Sequence, residues 1–268
     1  MQLGVAFPAI EERVLCNSLV AQRLCFALFA AASMFLLNAC AGPAVGDADL
    51  DTYFQQDPRV ARLIKAAIRT DLAGMERAVR DGADPNFVGG RNLWPLYIVL
   101  DKPYRNKVSA KKLLDLGANI NFSDGFRCSV PFAAGVGDSP DILEFALQNG
   151  GDANAECGPG GGFSVERASD LGYLENVKLL VRYGHDVNRL NKGGHVSAIS
   201  SALSGQYEIL CFLLDSGLHT QINKIADLVF LSGEQKNTED EKWRQLVIQK
   251  LIAKGAVWPP VFPKKAHS

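Results

Sequence analysis

Gly82-Ala83-Asp84-Pro85-Asn86 returns along the chain in related forms. They are Gly117-Ala118-Asn119-Ile120-Asn121, Gly150-Gly151-Asp152-Ala153-Asn154 and Gly184-His185-Asp186-Val187-Asn188, then the worn copies Gly217-Leu218-His219 and Gly255-Ala256. Successive glycines stand 35, 33, 34, 33 and 38 residues apart. Self-similarity at such a period is the mark of a solenoid, in which each unit buries its apolar face only against its neighbours.

Working outward from each glycine, the preceding residues carry apolar side chains at three and four spacing, as in Leu72, Met75, Ala78, Val79 and in Ile142, Leu143, Ala146, Leu147. That spacing predicts a helix with one buried stripe. Gly82, Gly117, Gly150, Gly184, Gly217 and Gly255 then stand where a helix C-cap needs the left-handed conformation. The Asp-x-Asn that follows suits a tight turn, whose short polar side chains satisfy backbone groups locally. A finger of a few residues and a shorter first helix complete the unit. The repeat boundaries predicted are 58–89, 90–124, 125–157, 158–191, 192–224 and 225–257. In the last, Trp243 is expected to open a terminal helix whose polar side chains, Arg244 among them, face water.

Period, glycine and turn together closely resemble the ankyrin repeat. The resemblance implies an all-α solenoid of about six helix-turn-helix repeats with short finger loops. Members of that family usually open the first helix with Thr-Pro-Leu-His. The matching stretches here begin Trp94-Pro95, Val130-Pro131, Ser164-Val165 and Ser197-Ala198, so only the last two keep a hydroxyl to cap the helix. In ankyrin stacks, partners commonly use the fingers and the exposed face of the first helices. The resemblance therefore points to Phe87, Arg91, Phe122, Phe126, Arg127, Arg189 and Lys192 as protein-binding residues, aromatics and arginines being common interface anchors. The three aromatic fingers at Phe87, Phe122 and Phe163 can equally turn inward. Asp101 to Lys107 lengthens the connection inside the second repeat, as an extra contact loop or a tolerated insertion.

Of the 268 residues 47% are apolar, enough for a substantial core, while 28 basic against 29 acidic side chains exclude the positive field that nucleic acid requires. Leu24 to Leu37 is apolar but for one serine. At about 1.5 Å per residue it is too short to span a bilayer, yet it suits a secretory signal. It closes on Leu37-Asn38-Ala39-Cys40, which resembles the lipobox of bacterial lipoproteins. The resemblance implies a leader over 1–39 and lipidation of Cys40. With no Asp beside that cysteine, it implies an outer-membrane anchor facing the periplasm. A plain cleaved signal, an uncleaved anchor, or a buried helix of a cytosolic protein are the other readings. Residues 40–57, with four Asp, read as an acidic tether, and 258–268 as a Pro/Lys tail.

Chemistry is not expected. No cysteine pair has metal-ligand spacing, and Gly158 to Gly162 lacks the Lys-Ser/Thr of a phosphate loop. His185 and His219 fall in turns, His195 in a finger and His267 in the tail, so none is assigned a catalytic or metal role. Neither a cofactor nor a metal is predicted, and Cys128 and Cys157 either pair in an oxidising compartment or remain thiols. The expected function is a monomeric, membrane-tethered module that binds a protein, with the lipid as its sole membrane contact. Small bacterial ankyrin lipoproteins resemble immunity proteins against phospholipase effectors of type VI secretion, which makes a lipase-like effector one candidate partner. A structural or stress-related envelope scaffold and a cytosolic or secreted ankyrin effector are the alternatives.

Overall fold

The computed structural model describes residues 46–125, 127–158 and 162–261. Residues 1–39 of the expected leader, Cys40, Phe126 and His267 lie outside the described residues. Helices dominate: α1 (Asp47–Tyr53), α2 (Pro58–Ile68), α3 (Leu72–Arg80), α4 (Pro95–Leu100), α5 (Lys107–Asp115), α6 (Val130–Gly135), α7 (Pro140–Gln148), α8 (Ser164–Asp170), α9 (Leu174–Arg182), α10 (Ala198–Leu203), α11 (Tyr207–Asp215), α12 (Ile222–Leu231) and α13 (Thr238–Ala253). Two short strands, β1 (Glu156–Cys157) and β2 (Gly162–Phe163), pair antiparallel in one finger. The even-numbered helices from α2 to α12 form one layer, and the odd-numbered ones from α3 to α13 form the other. This is an all-α ankyrin-repeat solenoid.

Local sequence explains the elements. In α2 the Asp57 carboxylate accepts the Arg59 N–H at 3.0 Å and Pro58 occupies the first turn, where its missing N–H costs nothing. Val60, Leu63, Ile64 and Ala67 then fall on one buried stripe. All six anchoring glycines have positive φ, between +86° and +100°. The residue after each closes the helix end by donating its N–H back to the last turn, as Ala118 does to Leu113 O at 2.9 Å and His185 to Leu180 O at 2.9 Å.

The Asp-x-Asn turns do more than satisfy themselves. Asp152 Oδ1 accepts the Asn154 N–H at 2.8 Å, the local bond that was expected. Asn154 Nδ2, however, donates to Gly184 O at 2.9 Å, and its Oδ1 accepts the Asp186 N–H at 3.1 Å in the next repeat. Asn86, Asn121 and Asn188 make the same two-way bridge to the turns at Gly117, Gly150 and Gly217. A ladder of asparagines thus ties repeat to repeat along one edge.

Five expectations need correction. The stretch read as a tether folds from α1 onward: Leu50 and Phe54 are fully buried, and a Cβ at Gly89 would stand 2.5 Å from the Phe54 ring, so only glycine fits there. Ser164 and Ser197 do not cap their helices; Ser197 Oγ instead meets His185 Nε2 at 3.2 Å. That partner of Ser197, the turn residue His185, is buried and edge-on to Phe163 with ring centroids 5.4 Å apart. The terminal helix starts at Thr238, not Trp243, because Asn237 caps it. Arg244 is buried, donating through Nε and Nη2 to Val229 O and pairing with Glu241 at 3.1 Å. The fold also runs slightly past 257, since Trp258 packs edge-on against Phe230.

Candidate protein-binding edge

The fingers follow the asparagine ladder, so the ladder fixes their spacing. In the first, Gly89 and Leu93 bridge across a tip of Gly90–Asn92, where Arg91 and Asn92 both take left-handed backbone, at φ +58° and +55°. That tip sets the Arg91 guanidinium over the Tyr53 ring, 5.7 Å from its centroid, with Nη1 donating to Tyr53 Oη at 3.2 Å. In the next finger Arg127 lies over the Tyr97 ring at 5.1 Å, and its Nε donates to Arg91 O at 3.1 Å. Asp124 accepts the Arg127 backbone N–H at 2.7 Å and Ser123 Oγ donates to Arg127 O at 2.7 Å, which holds that tip closed.

Further along, Arg189 sits over Phe163 at 5.1 Å and pairs with Glu156 at 3.1 Å. Lys192 reaches the other oxygen of the same carboxylate at 3.6 Å. Glu156 lies on β1, whose neighbour Cys157 forms a disulfide with Cys128, Cα atoms 5.4 Å apart. The pairing left open by the sequence is thus made, and it joins two successive fingers covalently. Cys211 is buried and free.

The predicted site residues therefore divide. Phe87 and Phe122 are half-buried, packing on Phe54 at 6.3 Å and edge-on to Trp94 at 5.2 Å, while Phe163 is fully buried. These aromatics turn inward because the helix ends beneath them are apolar. Phe126 lies outside the described residues. Arg91, Arg189 and Lys192 are exposed and Arg127 is half-buried, all on the finger edge. The long loop of the second repeat is committed to the third, with Lys102 and Arg105 reaching Asp138 at 2.7 and 2.9 Å.

Two contributors escaped the sequence reading. Tyr53 sat in the supposed tether, although its company with Leu50 and Phe54 at helical spacing was a usable signal. Tyr97 sat in the helix-opening stretch where the family has His, and nothing local shows that it faces an arginine one repeat away.

Burial pushes the Glu166 and Asp170 carboxyls above the ordinary range, although Asn191 and Ser204 respectively donate to them. Burial also brings His185 down to about 4, so it is neutral at physiological pH. Among the described residues no group of three or more His, Cys, Asp or Glu side chains is placed to hold a metal, and no helix is long and apolar enough to cross a membrane.

No protein-family model matches the chain, and no curated protein matches it. Among solved structures it is similar to an ankyrin repeat domain from Acinetobacter baumannii AYE, with 20% identity and a TM-score of 0.57, over 73% of this chain and 98% of that one. At that identity the likeness speaks for the fold.

Proposed function

We propose that this chain is an envelope protein, tethered through Cys40, that binds a protein partner along its finger edge. The observation that carries the reading is the edge itself: three arginines each held over an aromatic ring that lies 26 to 38 residues earlier in the chain, with a disulfide joining two of the fingers. Stacking and covalent closure order the contact residues before a partner arrives, which lowers the entropic cost of association. Disulfides persist in oxidising compartments, so the Cys128–Cys157 bond supports an extracytoplasmic site, as does the apolar run that ends at Cys40. In its inhibitory form, suggested by the resemblance to immunity lipoproteins, the partner is a lipase-like effector and the edge covers its working surface.

The test is capture from envelope extracts by the full chain in mild detergent. The expected partner is retained by the wild type and lost when Arg91 and Arg127 are both changed to alanine. Retention in that variant, with loss on changing Lys111 and Lys178 on the outer helices, would place binding on the opposite face. Cys40→Ala should move the protein from membrane to soluble fractions, and an unchanged membrane pool would refute the tether.

A further inference from the structure

The finger-edge cations are not equivalent, and this difference specifies the chemistry of what they bind. Other cations of the chain end on one of its own carboxylates: Arg59 on Asp57, Lys65 on Asp51, Lys107 on Asp141, and both Arg189 and Lys192 on Glu156. Arg91 and Arg127 end on tyrosine rings instead. A guanidinium carries five N–H donors. Arg91 uses Nη1 on Tyr53 Oη, and Arg127 uses Nε on the Arg91 carbonyl.

The acids close by are engaged elsewhere. Asp124 accepts the backbone N–H of Arg127, and Asp101, within electrostatic reach of that arginine, accepts the backbone N–H of Lys102. Each guanidinium is thus oriented by a ring and one hydrogen bond, and Arg127 Nε ties its side chain to the Arg91 backbone, so the two belong to one neighbourhood of the edge. The first is projected by consecutive left-handed non-glycine residues, a conformation that persists only where the surroundings hold it.

We infer that Arg91 and Arg127 form a docking site for an acidic segment of a protein partner, each fork taking a carboxylate, whereas Arg189 and Lys192 already share one carboxylate of this chain, Glu156. Ordered guanidinium planes match carboxylates in bidentate fashion, which a flexible lysine does not. The inference rests on the finger-edge reading above and narrows it to two fingers and one partner chemistry.

The test uses the full chain in mild detergent and two fluorescein-labelled peptides, one of Glu and Ser, the other of Lys and Ser, followed by anisotropy at low ionic strength. The acidic peptide should bind and weaken as salt rises, while the basic one should not bind. Changing Arg91 and Arg127 to alanine together should weaken acidic-peptide binding roughly tenfold or more. Changing Lys111 and Lys178 together, which lie on other helices and pair with Asp115 and Glu175, should leave it within about twofold. Circular dichroism of both variants checks that the helices persist. Absence of acidic-peptide binding by the wild type, or equal losses in the two variants, would overturn the assignment. Displacement by inorganic phosphate at a concentration matched to the peptide would overturn it in favour of a simple anion site. Because no envelope partner is needed, this assay fails or succeeds separately from the capture experiment.

Discussion

Breaking the link between Cys128 and Cys157 should cost stability by an amount set by the chain it closes. The two residues are 29 apart in sequence. A loop of about 30 residues loses roughly 12 cal/mol/K of unfolded-state entropy when cross-linked, or about 3.6 kcal/mol at 25 °C. The native stack has little reason to change, because the helices that follow each cysteine keep their own cores, with Val130 in α6 and Val165 and Ala168 in α8 all buried. Urea unfolding of the oxidised wild type should therefore exceed that of Cys128→Ala, Cys157→Ala and the double variant by similar amounts, near 3 kcal/mol. The double variant should cost no more than either single one, since one bond is lost in all three. Additive losses from the two single changes would refute the reasoning, as would a cost below about 1 kcal/mol.

Other perturbations probe separate links of the structure. Asn154→Ala removes two bonds that bridge repeats at a solvent-exposed edge, so it should cost about 1 to 2 kcal/mol by chemical denaturation and speed amide exchange at Asp186. Gly184→Val forces a β-branched residue to φ +98° and should destabilise by about 1 to 2 kcal/mol or more, measured the same way. His185 is neutral in the fold down to a pKa of about 4, whereas the unfolded chain takes up its proton near the ordinary value of about 6.5. Its contribution is therefore complete above that ordinary value and is lost as pH falls from about 6.5 to 4, by up to roughly 3 kcal/mol; unfolding curves at several pH values should show a shallower slope in His185→Leu.

Legibility followed the range of the interaction. Each anchoring glycine was readable because its cause lies within one helix turn, and all six have the backbone that their position demands. The finger arginines were readable as residue types at a known point of the repeat. What they touch was not, because Arg127 over Tyr97 and Arg189 over Phe163 join residues 30 and 26 apart and depend on how successive fingers pack. His185 with Ser197 failed for the same reason: an isolated turn histidine gives no sign that the following helix start will bury it. In α1 the three Asp distracted from Leu50 and Phe54, which a helical wheel would have placed on one face. Arg244 misled because a terminal helix was expected to be polar outward, while its guanidinium turns in to the Val229 carbonyl, which Ser232 also reaches, and to Glu241.

The asparagine ladder also carries a consequence for synthesis. As the chain leaves the ribosome, Asn86 waits for Gly117, Asn121 for Gly150, Asn154 for Gly184 and Asn188 for Gly217, delays of 31, 29, 30 and 29 residues. At roughly 5 to 20 residues per second, each rung closes a few seconds after its asparagine emerges. Because the partners emerge in that order, the rungs become available in sequence, beginning with the one between Asn86 and Gly117. A chain halted before Gly184 should hold its first two rungs and leave Asn154 open, which amide exchange on stalled or truncated chains would reveal.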